Sequence, residues 1–177
     1  MKESIKEWAK DILFAVLVAF LVLQFIMPTV VKESSMENTL IENDYLIVSK
    51  KAYTIFGDCE RGDIIVFKSN IPLEAGSKAT KLLVKRIIAV GGDTISISGG
   101  KVYVNGEELH EEYIKDGTTN GAIDETTVPE GYLFCMGDNR LVSRDSRDFS
   151  IGFINEADVK GKVVFRLFPF KKFGKIE

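Results

Sequence analysis

KLLVKRIIAV, residues 81–90, is the stretch of sequence that decides the fold. Its aliphatic and β-branched residues, bounded by Gly91 and Gly92, predict a β-strand. Strict alternation places on one face Leu83, Lys85, Ile87 and Ala89, and on the other Leu82, Val84, Arg86 and Ile88. Each face is therefore mostly apolar but contains one cation. On spacing alone, the simplest interpretation of Lys85 is that the aliphatic part of its side chain lies on apolar surface while its ammonium group is in water.

Comparable short runs lie on both sides of this stretch, separated by Gly and Asp clusters. They are DYLIVSK (44–50), GDIIVFK (62–68), DTISIS (93–98), KVYVNG (101–106), GYLFCM (131–136) and KVVFRLF (162–168). Asn105-Gly106 predicts a two-residue hairpin turn. The fold class predicted is mainly β, a closed or sandwiched antiparallel sheet system, that is, a β-barrel or β-sandwich. Residues 110–129, rich in charge, Gly and Thr, are predicted to form an exposed loop.

The N-terminal part has a different pattern. Residues 12–31 read ILFAVLVAFLVLQFIMPTVV and contain no charged residue. As a helix this run would span about 30 Å, the thickness of a bilayer's hydrocarbon core. We therefore predict a short leader (1–11), one transmembrane anchor helix (12–31) and a β-rich domain (32–177). A cleaved signal and a buried core helix are the alternatives; the near-neutral leader and the lack of a small-x-small exit site disfavour the first.

Composition excludes several classes of function. Net charge is −3, from 23 basic and 26 acidic residues, so a nucleic-acid partner is not expected. With His110 as the single histidine, a zinc site is hard to assemble and a Ser-His triad would have to use that residue. We expect neither metal nor cofactor. Cys59 and Cys135 are too few for a disulfide framework, and sequence does not decide whether they pair.

Three segments contain candidate catalytic residues, and each has a plainer interpretation. Ser34 and Ser35 follow the apolar run, where serines usually cap or bond locally. Lys85 is the second candidate, with the exposed ammonium described above as its plainer interpretation. Residues 137–147 read GDNRLVSRDSR, which alone indicates a hydrogen-bonded polar turn.

Together, in this order behind an apolar N-terminal run, the segments resemble the type I signal peptidases, the bacterial leader peptidases with a Ser/Lys dyad. Residues 35–40, SMENTL, match the nucleophile motif with Asn38 in place of the usual Pro. Residues 61–67, RGDIIVF, match a strand motif, and 85–93, KRIIAVGGD, match the lysine motif with Gly91 in place of Pro. The pattern GDNR-x-x-S-x-D-S-R is matched at every fixed position of 137–147. FRLFPF (165–170) also resembles the last strand of the compact Gram-positive type.

The resemblance implies a role for each matched residue. Ser35 would be the nucleophile and Lys85 the general base, which requires a neutral amine; free lysine titrates near about 10.4, and burial lowers that value. Ser143 would hydrogen-bond the amine, and the residues expected to hold the geometry are Asp145, Arg147, Arg86 and Asp138. The Ser35 backbone N–H would stabilise the oxyanion. Glu33 stands where some relatives have Ser or Gly, which leaves the second donor open, with Ser34 as a candidate.

The same resemblance implies the biological setting. Substrates would be secreted preproteins with small residues at the first and third positions before the cut. Met36, Leu82, Leu83 and Val84 are candidate pocket walls. We expect a monomer in the plasma membrane that crosses the bilayer once, with the N-terminus cytoplasmic and the catalytic domain outside. Two alternatives stay open: an inactive membrane-tethered β scaffold, which Glu33, Asn38 and Gly91 would favour, and a LexA-like self-cleaving Ser/Lys regulator.

Overall fold

The computed structural model describes residues 2–55, 57–74 and 76–176, with side chains in the first helix from Lys6 onward. Met1 and Glu177, at the ends of the predicted leader and β-rich domain, lie outside the described residues. Helix α1 spans Lys2–Phe25, and the one-turn helix α2 spans Ala52–Ile55. The rest of the fold consists of strands, turns and short 3-10 helices.

Twelve strands follow α1 among the described residues. They are β1 Ile26–Val30, β2 Tyr45–Ser49, β3 Ile64–Pro72, β4 Thr80–Val90, β5 Thr94–Ser98, β6 Lys101–Val104, β7 Glu107–Glu108, β8 Ile123–Thr127, β9 Tyr132–Met136, β10 Ile154–Asn155, β11 Val159–Phe168 and β12 Gly174–Lys175. The larger sheet has the order β1-β2-β11-β3-β4-β9-β10, with β12 added to β11. The smaller sheet has the order β7-β6-β5-β8. All pairings are antiparallel, so the predicted mainly β, antiparallel fold is confirmed.

The predicted anchor run, 12–31, is not all helical. Helix α1 ends at Phe25, and Ile26–Val30 pairs with β2 as an edge strand. The β-branched residues that follow Pro28 favour a strand, and an edge strand tolerates a proline that cannot donate a hydrogen bond. The part of α1 long and apolar enough to cross a membrane is Lys6–Phe25, 20 residues with its side chains exposed in the structure.

The segment predicted as an exposed loop, 110–129, is ordered by two features. Ile123–Thr127 forms β8 and pairs with β5. Thr119 is buried, as is the Glu111 side chain. A polar composition usually indicates an exposed loop, but here the side chains of Glu111 and Thr119 pair with a buried arginine that is described below.

Apolar residues form three clusters, and β4 contributes to all of them. Leu83 and Ile87 pack in one cluster, whereas Ile88 and Ala89 both pack in another between the two sheets. The predicted strict alternation therefore fails after Ile87, because a register shift lies between Ile87 and Ala89 where β4 pairs with β9. Lys85 lies before this irregularity and keeps its predicted place on the Leu83 face.

Candidate active site

Ser35 lies in a one-turn 3-10 helix, Ser34–Met36, a few residues after β1. The turn is closed by the Glu37 N–H, which donates to the Ser34 carbonyl at 3.0 Å. Met36 is buried and anchors the turn in the core. This anchoring holds the half-buried Ser35 in a fixed position at the protein surface.

Lys85 comes from the middle of β4, opposite Ile65 of β3. Its side chain is 1% exposed, so the predicted ammonium in water is not found. Lys85 Nζ lies 2.6 Å from Ser35 Oγ and 3.1 Å from the Val84 carbonyl oxygen. A neutral amine fits this geometry, because it can donate to the carbonyl while its lone pair accepts the serine proton.

The electrostatic environment favours that neutral amine. Burial lowers the pKa of Lys85 below its usual value of 10.5, because the ammonium form is desolvated. Negative charges at Asp145 and Glu33 act in the opposite direction and partly restore the pKa. Desolvation is the largest of these effects, so the net direction is downward.

The chain after β9 clamps the serine turn from the other side. The Asn139 N–H donates to the Ser35 carbonyl at 3.0 Å, and Asn139 Nδ2 donates to the Ser34 carbonyl at 3.1 Å. Sequence reasoning matched Asn139 to the GDNR motif but gave it no role in the site. The sequence signal for such a role is an amide side chain at a fixed position of the motif, because an amide can hydrogen-bond to backbone carbonyl groups.

The predicted hydrogen bond between Ser143 and the lysine amine is not formed. Ser143 Oγ is buried and has no hydrogen-bond partner among the described residues. It packs instead against Gly137, where an added Cβ would lie 2.3 Å from Ser143 Oγ and 2.3 Å from the Ser35 carbonyl oxygen. Only glycine leaves room for this approach, which sequence reasoning did not identify.

Asp145 and Arg147 form the predicted ion pair. Arg147 donates to both carboxylate oxygens of Asp145 at 2.8 Å, and Asp145 is buried. Asp145 Oδ2 also accepts from the Gly137 N–H at 3.0 Å. The pair thus holds the backbone at the position where Gly137 meets the serine turn.

Arg86 and Asp138 form a second, fully buried pair. Arg86 donates from Nε and Nη2 to the two carboxylate oxygens of Asp138 at 3.0 and 2.9 Å. Thr39 donates to the same carboxylate at 2.5 Å, and the Arg86 guanidinium stacks 4.0 Å above the ring of Tyr113. This network joins β4, the segment that follows the serine turn and the segment after β9. Roles for Thr39 and Tyr113 were not predicted.

Arg140, the last residue of GDNR, is completely buried and ties the 110–119 segment to the site. It donates to both oxygens of the Glu111 carboxylate, and to Thr119 Oγ1 at 2.6 Å. Its Nε donates to the Gly137 carbonyl at 3.0 Å. A single arginine therefore links the 110–119 segment to Gly137, the residue that packs against the serine turn.

A cleft of about 750 Å³ opens beside Ser35. Its walls come from residues 27–33, which include most of β1, from Ser35 and Met36, and from the first half of β4 together with Leu73 and Val66. All four predicted wall residues, Met36, Leu82, Leu83 and Val84, line it. Leu82 is half exposed, whereas Met36 and Leu83 are buried beneath the surface of the cleft.

The three departures from the family pattern have physical explanations. Asn38 has φ +99°, which proline cannot adopt, and its side chain donates to the Tyr113 carbonyl at 2.9 Å. Gly91 lies against Glu130, whose Cα would be 3.0 Å from an added Cβ. The Glu33 carboxylate lies 3.6 Å from Lys81 Nζ, so a cation is close to its charge. None of the three disturbs the contact between Lys85 and Ser35.

This arrangement has the parts for nucleophilic catalysis: a hydroxyl, a desolvated amine in contact with it, and a cleft that leads to both. Serine alone is a poor nucleophile, and a neutral amine at 2.6 Å can remove its proton as it attacks.

The chain is similar to known proteins over most of its length. The family described as signal peptidase, peptidase S26, matches residues 5–168. A signal peptidase I P of Bacillus subtilis subsp. natto is 35% identical over 98% of this chain and 94% of its own length. A signal peptidase IB of Staphylococcus aureus is 34% identical over 98% of this chain and 94% of its own. A crystal structure of a signal peptidase I from Enterococcus faecalis is 31% identical, covers 59% of this chain and 96% of that one, and has a TM-score of 0.48.

The family match spans most of the chain and includes the serine turn, β4 and the segment after β9. The relatives extend over nearly the whole length as well. The chain therefore belongs to the signal peptidase family, peptidase S26.

Proposed function

We propose that this protein is a membrane-anchored serine endopeptidase that removes signal peptides from secreted preproteins, with Ser35 as nucleophile and Lys85 as general base. The observation that carries the assignment of the dyad is the 2.6 Å contact between Lys85 Nζ and Ser35 Oγ, made by an amine that is 1% exposed. Family membership and relatives called signal peptidase I support the choice of reaction.

The reaction has two halves. Neutral Lys85 Nζ accepts the proton of Ser35 as Oγ attacks the scissile carbonyl carbon, and the resulting ammonium then protonates the leaving amine. The acyl group stays on Ser35 as an ester. Lys85, neutral again, accepts a proton from a water molecule that attacks the ester, and then returns that proton to Ser35 Oγ.

Negative charge develops on the substrate's carbonyl oxygen when Ser35 attacks and again when water attacks, and hydrogen-bond donors must stabilise it both times. We assign the first to the Ser35 backbone N–H and the second to the Ser34 hydroxyl, which is exposed at the start of the same turn. Asp145, Arg147, Arg86 and Asp138 position the dyad through the buried ion pairs and make no bonds to the substrate.

The substrate is expected to bind as an added strand. Strand β4 pairs with β9 only from Arg86 to Val90, so its residues 80–85 have no strand partner on that side among the described residues. The cleft lies between this edge and residues 27–36. A peptide laid there satisfies the backbone groups of the edge, and its small side chains point into the cleft walls.

Helix α1 supplies the partner surface for the lipid bilayer. Its side chains are exposed along Lys6–Phe25, a length that matches the hydrocarbon core. We propose that it crosses the plasma membrane once, with the N-terminus in the cytoplasm and the catalytic domain outside, where translocated preproteins emerge. We also propose that it acts as a monomer.

Cleavage of a preprotein by the full chain in detergent micelles tests the proposal. Ser35→Ala and Lys85→Ala should each lower the rate at least about 10³-fold. The matched controls are Ser98→Ala and Lys101→Ala, exposed positions in the smaller sheet that should keep the wild-type rate. Processing at the wild-type rate by either dyad variant contradicts the assignment of the dyad, and no processing by the wild type contradicts the proposed activity.

A further inference from the structure

The segment from Gly137 to Asp148 has an inner and an outer face. Its inner residues, such as Asn139 and Asp145, are buried and hold the site as described above. Three side chains point outward instead: Leu141 is 50% exposed, Val142 is 61% exposed, and Arg144 is exposed as well. These three are the positions that the motif GDNR-x-x-S-x-D-S-R leaves free, and the dyad chemistry uses none of them.

The outward residues line a second cavity, a depression of about 300 Å³ that is largely open to solvent. Ser143 also lines it and connects it to the dyad. The Ser143 hydroxyl and the Ser35 carbonyl oxygen both lie 2.3 Å from the place that a Cβ on Gly137 would occupy, so they are close neighbours. The second cavity thus begins beside the serine turn, on the side of the chain that follows β9.

The sheet determines which part of a substrate reaches this cavity. The open edge of β4 ends where Arg86 pairs with Met136, and Gly137 follows directly. A peptide that fills the large cleft up to Ser35 meets the 137–148 segment at this end. In the binding mode proposed above, its continuation beyond the scissile bond passes over the outer face of that segment.

We propose that this second cavity binds the first residues after the cut, with an apolar side chain packed against Leu141 and Val142. The inference rests on the proposed function and adds a specificity site for the mature part of the preprotein. Three charged residues line the cavity, and each is paired: Arg144 with Asp148 at 2.9 Å, and Arg147 with the buried Asp145 at 2.8 Å. No charge among these lining residues is therefore left to favour a charged side chain.

A concave surface suits a peptide better than a lipid layer. Phe149, on the same segment, is fully exposed but does not line the cavity. It provides a matched control, because a membrane contact would involve this protruding ring first, whereas a peptide contact would involve Leu141 and Val142.

The test uses preproteins that are identical before the cut and have Leu or Ser at each of the first three positions after it. The full-length enzyme in detergent micelles should cleave the best Leu substrate with a kcat/KM about fivefold above its Ser counterpart. The double variant L141S/V142S should lose this preference and keep its kcat/KM on the Ser substrate. F149S should keep both the preference and the rate.

Other outcomes overturn the inference. An unchanged preference in L141S/V142S removes the assignment of the cavity. If F149S and L141S/V142S both lose kcat/KM equally on the Leu and Ser substrates, in vesicles but not in micelles, the segment contacts lipid instead. A wild-type enzyme that cleaves none of the preproteins refutes the proposed function and this inference with it, whereas cleavage without a Leu preference refutes the inference alone.

Discussion

Gly137→Ala should inactivate the enzyme with only moderate loss of stability. The added Cβ would lie 2.3 Å from the Ser35 carbonyl oxygen, 2.3 Å from Ser143 Oγ and 2.7 Å from Ser143 Cβ. Ordinary contact with such atoms begins near 3.4 Å, so the serine turn and Gly137 must separate by about 1 Å. Because the turn carries the nucleophile, this displacement opens the contact between Ser35 and Lys85.

The magnitude follows from the size of the shift. Overpacking of this kind costs about 1–3 kcal/mol of folding free energy, which lowers Tm by several degrees in a protein of this length. A displacement of about 1 Å at the reacting groups costs on the order of 10²-fold in kcat. Preprotein cleavage gives kcat, and thermal unfolding in detergent gives Tm.

Two variants distinguish a displaced serine turn from a general loss of folding stability. Gly106→Ala, in a turn of the smaller sheet with φ +81° and open space around it, should lose similar stability and keep its kcat. Gly137→Ala combined with Ser143→Gly removes the clashes with Ser143 but leaves the one with the Ser35 carbonyl. It should regain part of the lost Tm without regaining kcat. A Gly137→Ala enzyme with more than half of the wild-type kcat refutes the reasoning.

Four further predictions concern charge. The cleavage rate should rise with pH as Lys85 loses its proton, with a midpoint below 10.5 because burial lowers its pKa; a rate that appears only near 10.5 contradicts a desolvated amine. Lys85→Met should be more stable than wild type at neutral pH. The difference in stability should shrink as pH rises from the lowered pKa of Lys85 toward 10.5, because in that range the unfolded wild-type chain holds a proton on Lys85 that the folded chain has lost. A difference in denaturant midpoint that does not change with pH would contradict this. Glu33→Gln should move the midpoint of the rate profile down, because the Glu33 charge raises the pKa of Lys85, and an upward shift would contradict it. Asp138→Asn should cost about 3–5 kcal/mol in chemical denaturation, because it leaves Arg86 buried without its counter-charge; a loss under about 1 kcal/mol would mean the pair is not buried in solution.

Much of the fold could be predicted because alternation along short strands is a local property. Lys85 was placed on the correct strand and on the Leu83 face by its neighbours alone. The register shift after Ile87 could not be predicted, because it depends on how β9 pairs with β4. The division of the apolar run at Phe25 was missed for a related reason: an apolar residue suits a helix in lipid and an edge strand equally well.

The site shows the same limit. Ion pairs between fixed motif positions, such as Asp145 with Arg147, were predicted from the resemblance and are present in the structure. Contacts that join distant segments were not, since nothing in the local sequence of Glu111 indicates that it pairs with Arg140. The roles given to Ser35 and Lys85 stay predictions until the variants are assayed.

Helix α1 passes into β1 without a linker, and the junction is tied to the domain. The Lys50 N–H donates to the Phe25 carbonyl at 2.8 Å, and Lys50 Nζ donates to the Leu23 carbonyl at 2.8 Å. Ser35 is ten positions after Phe25 in the sequence, so the nucleophile lies within about 35 Å of the end of the helix. With α1 in the bilayer as proposed, this tie limits how far the nucleophile can lie from the lipid, so that peptide bonds beyond that distance are out of its reach.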